Sequence, residues 1–461
     1  MKSEFDLGII GSGPGGYVAA IYAAKQGLDV AVIEKDNYGG VCTNWGCIPT
    51  KALLHSSKIF SDIQEAPKLG INVDGISFDI TKMHTRKNKI VQRMQKGVKY
   101  LLENYNIECF RGQGKYIDKN IIEIQNETGK QRIKVDKSII ATGSSPKDFE
   151  LSSLQSNNVF NSKEVLQMED HCPEEIIIIG GGTIGVEFAT IYNNLGSEVT
   201  ILEKEDRIIP TADKDISQSL KRSLKRDGVN IHTKAEILEI SGETRKTCRF
   251  KYKTEEKNIE GDIIFAAIGR EPNIEAIGAK EIGLDCEQGF IKVNNNFETN
   301  IEDVYAIGDV TGGLQLAHEA SYEGKIAVDN ILGKDRQKKN MIPVCIYTNP
   351  EIAYAGLTET EARERGYNIE IGEFPVRLNG KATVMGEKEG KVKILTNSKN
   401  DQILGIHMIS PHATDMISEI GLAMDNELTI DQINNIHPHP TLSESIMEAI
   451  EDIKNMSIHK P

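Results

Sequence analysis

Apolar positions in this chain gather into short runs with two different rhythms. At 5–10 (FDLGII) and 176–179 (IIII) the runs are almost unbroken, as strands buried on both faces are. A glycine turn follows each, then a helix-like stretch closed by Gly27 or Gly196, then a second apolar run ending in glutamate. The stretches FDLGIIGSGPGGYVAAIYAAKQGLDVAVIE (5–34) and EEIIIIGGGTIGVEFATIYNNLGSEVTILE (174–203) therefore read as two copies of one strand–helix–strand unit. Three more runs, SIIATGSSP (138–146), IIFAAIGREPN (263–273) and DVYAIGDVTGG (303–313), are strands ending in glycine at a loop. Such strand ends are where open α/β sheets hold ligands.

Each copy carries G-x-G-x-x-G in the place a dinucleotide needs it. Gly11, Gly13, Gly16 and Glu34 recur at one constant offset as Gly180, Gly182, Gly185 and Glu203. The first glycine makes the tight turn, the second admits a pyrophosphate, and the third lets helix and strand pack closely. The phosphates sit at a helix N-terminus, where free N–H groups and the helix dipole favour anions. The glutamate, about 20 residues on, is placed to accept from a ribose hydroxyl. At Glu203 a carboxylate would repel a 2′-phosphate, so NAD is favoured over NADP. Asp309 is open to two readings, a ligand for cofactor hydroxyls or a cap for the helical pattern LAHEASYEGKIAVDNI that follows it.

At 461 residues the chain is long enough for several domains. The expected division is 1–146 for the first part of one nucleotide domain and 147–270 for a second that interrupts it. Residues 271–340 return to the first, and 341–461 form a last domain of mixed strand and helix. The polar stretch SSPKDFELSSLQSNN and the lysine-rich GKDRQKKN mark the joins. No apolar run approaches the ~18 residues of a membrane span. The first strand begins so early that no leader peptide fits ahead of it, which predicts a cytoplasmic protein. A net charge of −14 argues against nucleic acid or an anionic membrane as partner.

The seven cysteines are too scattered for a secreted disulfide framework. Five are expected to be small buried hydrophobes. Cys42 and Cys47 differ, with four residues between them in GGVCTNWGCIPTK. A zinc site would need a second pair, and none exists, nor does a His-x₃₋₅-His lie near; no metal is expected. A static disulfide is unusual where thiols are kept reduced. A reversible disulfide needs irregular backbone, because five residues of helix already span roughly 7.5 Å, beyond the roughly 7 Å reach of the bridge. Gly46 offers that freedom, Pro49 suits a helix start, and a helix N-terminus favours a thiolate. Near the C-terminus, HPHPTLSE offers an imidazole that titrates near neutrality, with a carboxylate five residues later to orient it.

With these residues in place, GGVCTNWGCIPTKAL resembles the redox signature of the flavin-dependent pyridine nucleotide–disulfide oxidoreductases. The likeness runs through both glycine fingerprints, ATG, AIGR-x-PN, AIGD and the C-terminus, and so covers essentially the whole chain. HPTLSE, preceded by a second histidine, resembles the dihydrolipoamide dehydrogenases within that family. The resemblance implies an α/β fold with two Rossmann-like dinucleotide-binding domains, for FAD and NAD, and a C-terminal α+β dimerisation domain. It implies that Cys42 exchanges with substrate and Cys47 with flavin, and that His439, held by Glu444, is the active-site base, completing its partner's site in a homodimer. FAD would lie along Gly11, Gly13, Gly16 and Glu34, with Lys51, Gly114, Thr142, Gly143, Asp309 and Ala317; NAD would lie along Gly180, Gly182, Gly185 and Glu203, with Ala235 and Gly269. The implied reaction oxidises dihydrolipoamide on a lipoyl-bearing protein of a 2-oxo acid dehydrogenase, acetoin or glycine cleavage complex, reducing NAD⁺. The alternative is a nicotinamide-dependent reductase of another small disulfide, such as glutathione or coenzyme A disulfide. Thr43, Trp45 and Pro438 depart from the family's usual Leu, Val and Ala.

Overall fold

The computed structural model describes residues 2–149, 159–338 and 341–461. Part of each expected join, 150–158 and 339–340, lies outside the described residues. Strand Glu4–Ile10, helix Pro14–Lys25 and strand Val30–Glu34 form the first unit, and strand Glu175–Ile179, helix Thr183–Asn194 and strand Glu198–Glu203 the second. In each unit the two strands pair in parallel. In the first, Leu7, Ile9, Val30 and Val32 are fully covered, with apolar layers on both faces of the sheet.

The first sheet has seven strands. Glu108–Arg111, Val30–Glu34, Glu4–Ile10 and Gly129–Ile140 run in that order, followed by Ile121–Asn126 and Gln113–Asp118 in antiparallel pairing. The short strand Val304–Ala306 returns from far along the chain to pair in parallel with Ser138–Ile140. The second sheet is a five-stranded parallel one ordered Asn230–Thr233, Glu198–Glu203, Glu175–Ile179, Ile263–Ala266, Val159–Phe160. It is backed by the antiparallel meander Ala235–Ser241, Lys246–Tyr252, Glu255–Gly261.

Two strands link these units side by side, Ser144–Pro146 pairing antiparallel with Arg270–Pro272. A third sheet, of five antiparallel strands between Val344 and Ser410, is covered by helices Ala413–Asp425 and Glu444–Asp452. One apolar core runs from Leu53 and Leu54, through the second unit's Phe188, Ile201 and Phe265, to Ile346 and Ile352 of the third sheet. Among the described residues no helix is long and apolar enough to cross a membrane.

Candidate functional site

The two cysteines lie on either side of a break in a helix. Helix Gly40–Trp45 carries Cys42, and helix Cys47–Glu65 begins at Cys47. The break falls at Gly46, where a Cβ would lie 2.9 Å from Val41 O and 3.3 Å from Cys42 Cα, so a side chain has no room. The segment rests on the first glycine turn: Gly39 N–H donates to Ser12 O at 3.0 Å, and Asn44 Nδ2 donates to Gly40 O at 2.8 Å and Tyr38 O at 3.1 Å.

Both cysteines are free thiols, and they are not equivalent. The hydrogen bond between them lowers the Cys47 thiol from its ordinary 9.0 to about 7; burial works against this and the Lys51 ammonium assists. The same bond, with burial, pushes Cys42 up. Lys51, one turn along the second helix, pairs with both oxygens of Glu187 at 2.9 and 2.8 Å and lies 4.6 Å from the centre of the Tyr347 ring. Burial alone would lower Lys51, but the Glu187 carboxylate outweighs it and holds the ammonium charged. Glu187 also accepts from Tyr347 N–H at 3.0 Å, so one carboxylate joins the cysteine helix, the second unit and the third sheet. Sequence reasoning passed over it. Its one signal is a carboxylate within the apolar stretch IGVEFATIY, where only a paired charge is stable.

Both glycine fingerprints fit a dinucleotide. Gly11 and Gly180 share φ +105°, a left-handed conformation that favours glycine, and Cβ atoms on Gly16 and Gly185 would fall 2.0 Å from the carbonyls of Gly11 and Gly180. Neither Gly13 nor Gly182, the residues opening the two helices, has a side chain capping it, so the first N–H groups are bare for a phosphate. A Cβ on Gly182 would meet nothing within 4 Å, the space the second glycine is expected to leave. Glu34 accepts from Ser12 N–H at 2.8 Å and Ser12 Oγ at 2.6 Å, and Glu203 from Gly181 N–H at 2.5 Å. Both carboxylates thus lie buried against the turns.

The remaining sequence-picked residues cluster at strand ends. Thr142 Oγ1 donates to Asn273 O at 2.8 Å, and Gly143 O accepts from Asn273 N–H at 2.9 Å. Asp309 sits in the turn Gly308–Thr311, hydrogen-bonded to Ser144 Oγ and 3.7 Å from Arg270 Nε. It does not cap the helix Ala317–Ile331, which opens without any side-chain cap. Gly114 packs on Ile33 and Ile10 beneath the first unit, Ala235 is buried at the head of the meander, and Gly269 stands in the loop before Arg270. Trp45 packs on the shared core with the Lys163 ammonium 4.1 Å from its ring centre. Of the other five cysteines Cys248 is buried as expected, but Cys109, Cys172 and Cys345 are only half-buried, and Cys286 is exposed because its strand Cys286–Glu287 belongs to a small surface hairpin. Among the described residues no group of three or more His, Cys, Asp or Glu could hold a metal.

His439 Nδ1 lies 2.9 Å from Glu444 Oε1, and Glu444 Oε2 accepts from Thr441 N–H at 2.7 Å. Burial would raise Glu444; the Thr441 N–H and His439 reverse that and keep its carboxyl below the usual range. The His439 side chain is 76% exposed, and among the described residues its ring bonds to Glu444 and not to Cys42 or Cys47.

Residues 5–324 match the family model described as pyridine nucleotide-disulphide oxidoreductase, and 342–450 match that family's dimerisation domain. A dihydrolipoyl dehydrogenase of Bacillus subtilis (strain 168) is 41% identical over 474 residues, with all of both chains covered. One from Chlamydia muridarum (strain MoPn / Nigg) is 40% identical over all of this chain and 99% of its own. Among solved structures, the Cu(II) complex of the HOCl-induced flavoprotein disulfide reductase RclA from Escherichia coli gives a TM-score of 0.87 at 29% identity, over 97% of this chain and 99% of that one. LpdA from Mycobacterium tuberculosis gives 0.90 at 25% identity, over 97% and 99%. Two family models that together span most of the chain, and relatives aligned end to end, place this chain in the pyridine nucleotide-disulphide oxidoreductase family.

Proposed function

We propose that the chain is an NAD-dependent flavoenzyme that oxidises dihydrolipoamide to lipoamide through a Cys42–Cys47 disulfide. The cysteine pair at the helix break beside Lys51, in a chain about 40% identical end to end to dihydrolipoyl dehydrogenases, carries this reading, and the asymmetry of the two thiols fits it. A disulfide is cleaved most readily when the sulfur that leaves has the lower pKa. With Cys47 near 7 and Cys42 pushed up, attack at Cys42 expels the better leaving group.

FAD and NAD are the cofactors, and when bound they supply the two-electron couple that restores the disulfide. The chain's residues perform the exchange. With Nδ1 directed at Glu444, His439 has Nε2 free to take the proton of a substrate thiol. The resulting thiolate attacks Cys42 Sγ, the Cys42–Cys47 bond breaks, and Cys47 leaves as a thiolate beside the Lys51 ammonium. The second substrate thiol then attacks its own mixed disulfide; its proton passes to the departing Cys42 sulfur, lipoamide is released, and the first proton stays on His439. A homodimer, in keeping with the dimerisation domain, would bring His439 of one subunit to the cysteines of the other. The partner is a lipoyl-bearing protein of a 2-oxo acid dehydrogenase, acetoin or glycine cleavage complex, and the setting is cytoplasmic.

Steady-state rates test the assignment. NAD⁺ with dihydrolipoamide should far outrun NADPH with glutathione disulfide, and the reverse order would sink it. Cys47→Ser should abolish dihydrolipoamide oxidation, and His439→Gln should slow it ~10²–10⁴-fold, the scale of a lost general base.

A further inference from the structure

HPHPTLSE carries two histidines, and the reaction above uses only one. While His439 faces solvent, the His437 side chain is 5% exposed. Its ring has an oxygen at each end: Nδ1 lies 3.0 Å from Asn435 O, and Nε2 lies 3.2 Å from Glu419 Oε1. A backbone carbonyl and an ionised carboxylate only accept, and neutral imidazole offers a single N–H. With the one N–H on Nδ1 facing Asn435 O, a neutral ring would turn its Nε2 lone pair toward the Glu419 carboxylate, whereas the imidazolium turns a positive edge to it. The Glu419 contact is close enough for charge pairing, although its angle is poor for a hydrogen bond. Glu419 also raises His437 above the ordinary histidine range, against burial.

Glu419 stands on helix Ala413–Asp425, which packs on the third sheet. The pair therefore ties the segment presenting His439 to a rigid body. Among the described residues the other side-chain hydrogen bonds of Asn435–Pro438 are local, Ile436 N–H to Asn435 Oδ1 and Thr441 Oγ1 to Pro438 O.

We propose that His437, held as an imidazolium between Asn435 O and Glu419, is a positioning residue that fixes the segment carrying the base. The proposal rests on the reading of His439 as that base. His437 takes no proton from substrate; its task is to keep His439 where the reaction needs it.

The test compares H437Q, E419Q, the double variant, H437K and H439Q as full-length, flavin-loaded enzyme. H437Q and E419Q should each lower kcat for dihydrolipoamide oxidation about 10- to 100-fold, the usual cost of a misplaced catalytic group, with KM changed less than about 3-fold. The double variant should be no slower than the slower single, because both cut one link. H437K, which keeps a cation facing Glu419, should recover part of the rate that H437Q loses. Should H437Q fail to retain flavin, E419Q carries the test. Unchanged kcat in E419Q, or losses that multiply in the double variant, overturns the proposal while a slow H439Q leaves the base assignment standing. An H439Q that is not slowed overturns both.

Discussion

Replacing Cys42 by alanine isolates what makes Cys47 acidic. The strongest influence on Cys47 is its hydrogen bond with Cys42; burial and Glu187 oppose it, and Lys51 assists. Alanine removes the bond and leaves the opposing influences, so the thiol should rise from about 7 to its ordinary 9.0 or beyond. At pH 7 the thiolate fraction then falls from about one half to about one hundredth, about a fifty-fold loss. A more basic thiolate is intrinsically more nucleophilic, by about eight-fold over two pKa units. Alkylation of Cys47 by iodoacetamide at pH 7 should therefore slow about six-fold, and its rate midpoint should move from near pH 7 to near pH 9. Cys42→Ser, whose hydroxyl still donates, is the companion variant, and its midpoint should stay near 7. Peptide mass spectrometry between about pH 6 and 10 reads Cys47 apart from the exposed Cys286. Burial pushes Cys109, Cys248 and Cys345 up to about 11, 12 and 11, so they stay largely silent. The midpoint does not depend on how easily the reagent reaches the sulfur. A midpoint near 7 in the alanine variant would refute the reasoning and shift the cause to Lys51.

Three other outcomes are expected. Glu187→Ala, which strands the Lys51 ammonium and the Tyr347 N–H, should cost about 3 kcal/mol, the low end for a broken buried pair, and Glu187→Gln about 1 to 2; urea-unfolding midpoints that leave the two variants equal would contradict this. His84 is buried and lowered to about 4 by burial and by Lys87, so the unfolded chain takes a proton below about 6.5 that the folded chain refuses until about 4. Its contribution is whole above pH 6.5 and lost as pH falls through that window, and His84→Asn, which cannot titrate, should lose about 3 kcal/mol less between those limits in urea melts at stepped pH. Gly182→Ala should fold normally yet raise the KM for NAD⁺, because its Cβ enters open space, whereas Gly185→Ala should reduce soluble yield, because its Cβ meets the Gly180 carbonyl at 2.0 Å.

The fold class was legible because both nucleotide units write themselves in local pattern: apolar runs set the strands, and glycines such as Gly16 and Gly185 fall where a Cβ cannot. Gly46 was legible as a break, although the structure assigns it a shortage of room more than a need for freedom. Glu187 was hidden because what defines it, Lys51 and Tyr347, lies far away in sequence and meets it only after three elements pack together. Asp309 was ambiguous for a similar reason, since Arg270 and Ser144 reach it from other strands. Cys286 defied a composition-based expectation because exposure depends on where its two-residue strand ends up. Trp45, a departure with no sequence rationale, now has neighbours: the shared core on one side and Lys163 on the other.

The pairing of Ser144–Pro146 with Arg270–Pro272 bears on how this architecture can be rearranged. Pro146 and Arg270 are ladder partners, so the chain leaves the first sheet and comes back through the same doorway. Everything between them is, topologically, one very large hairpin loop. A segment grafted there needs only to present its two ends side by side, and the strands before and after would keep their register whatever its length. The constraint on such an exchange would come from Leu53, Leu54 and Ile352, which share one apolar core with the second unit. A gene-level swap would therefore succeed or fail on matching that one packed face, not on joining the ends.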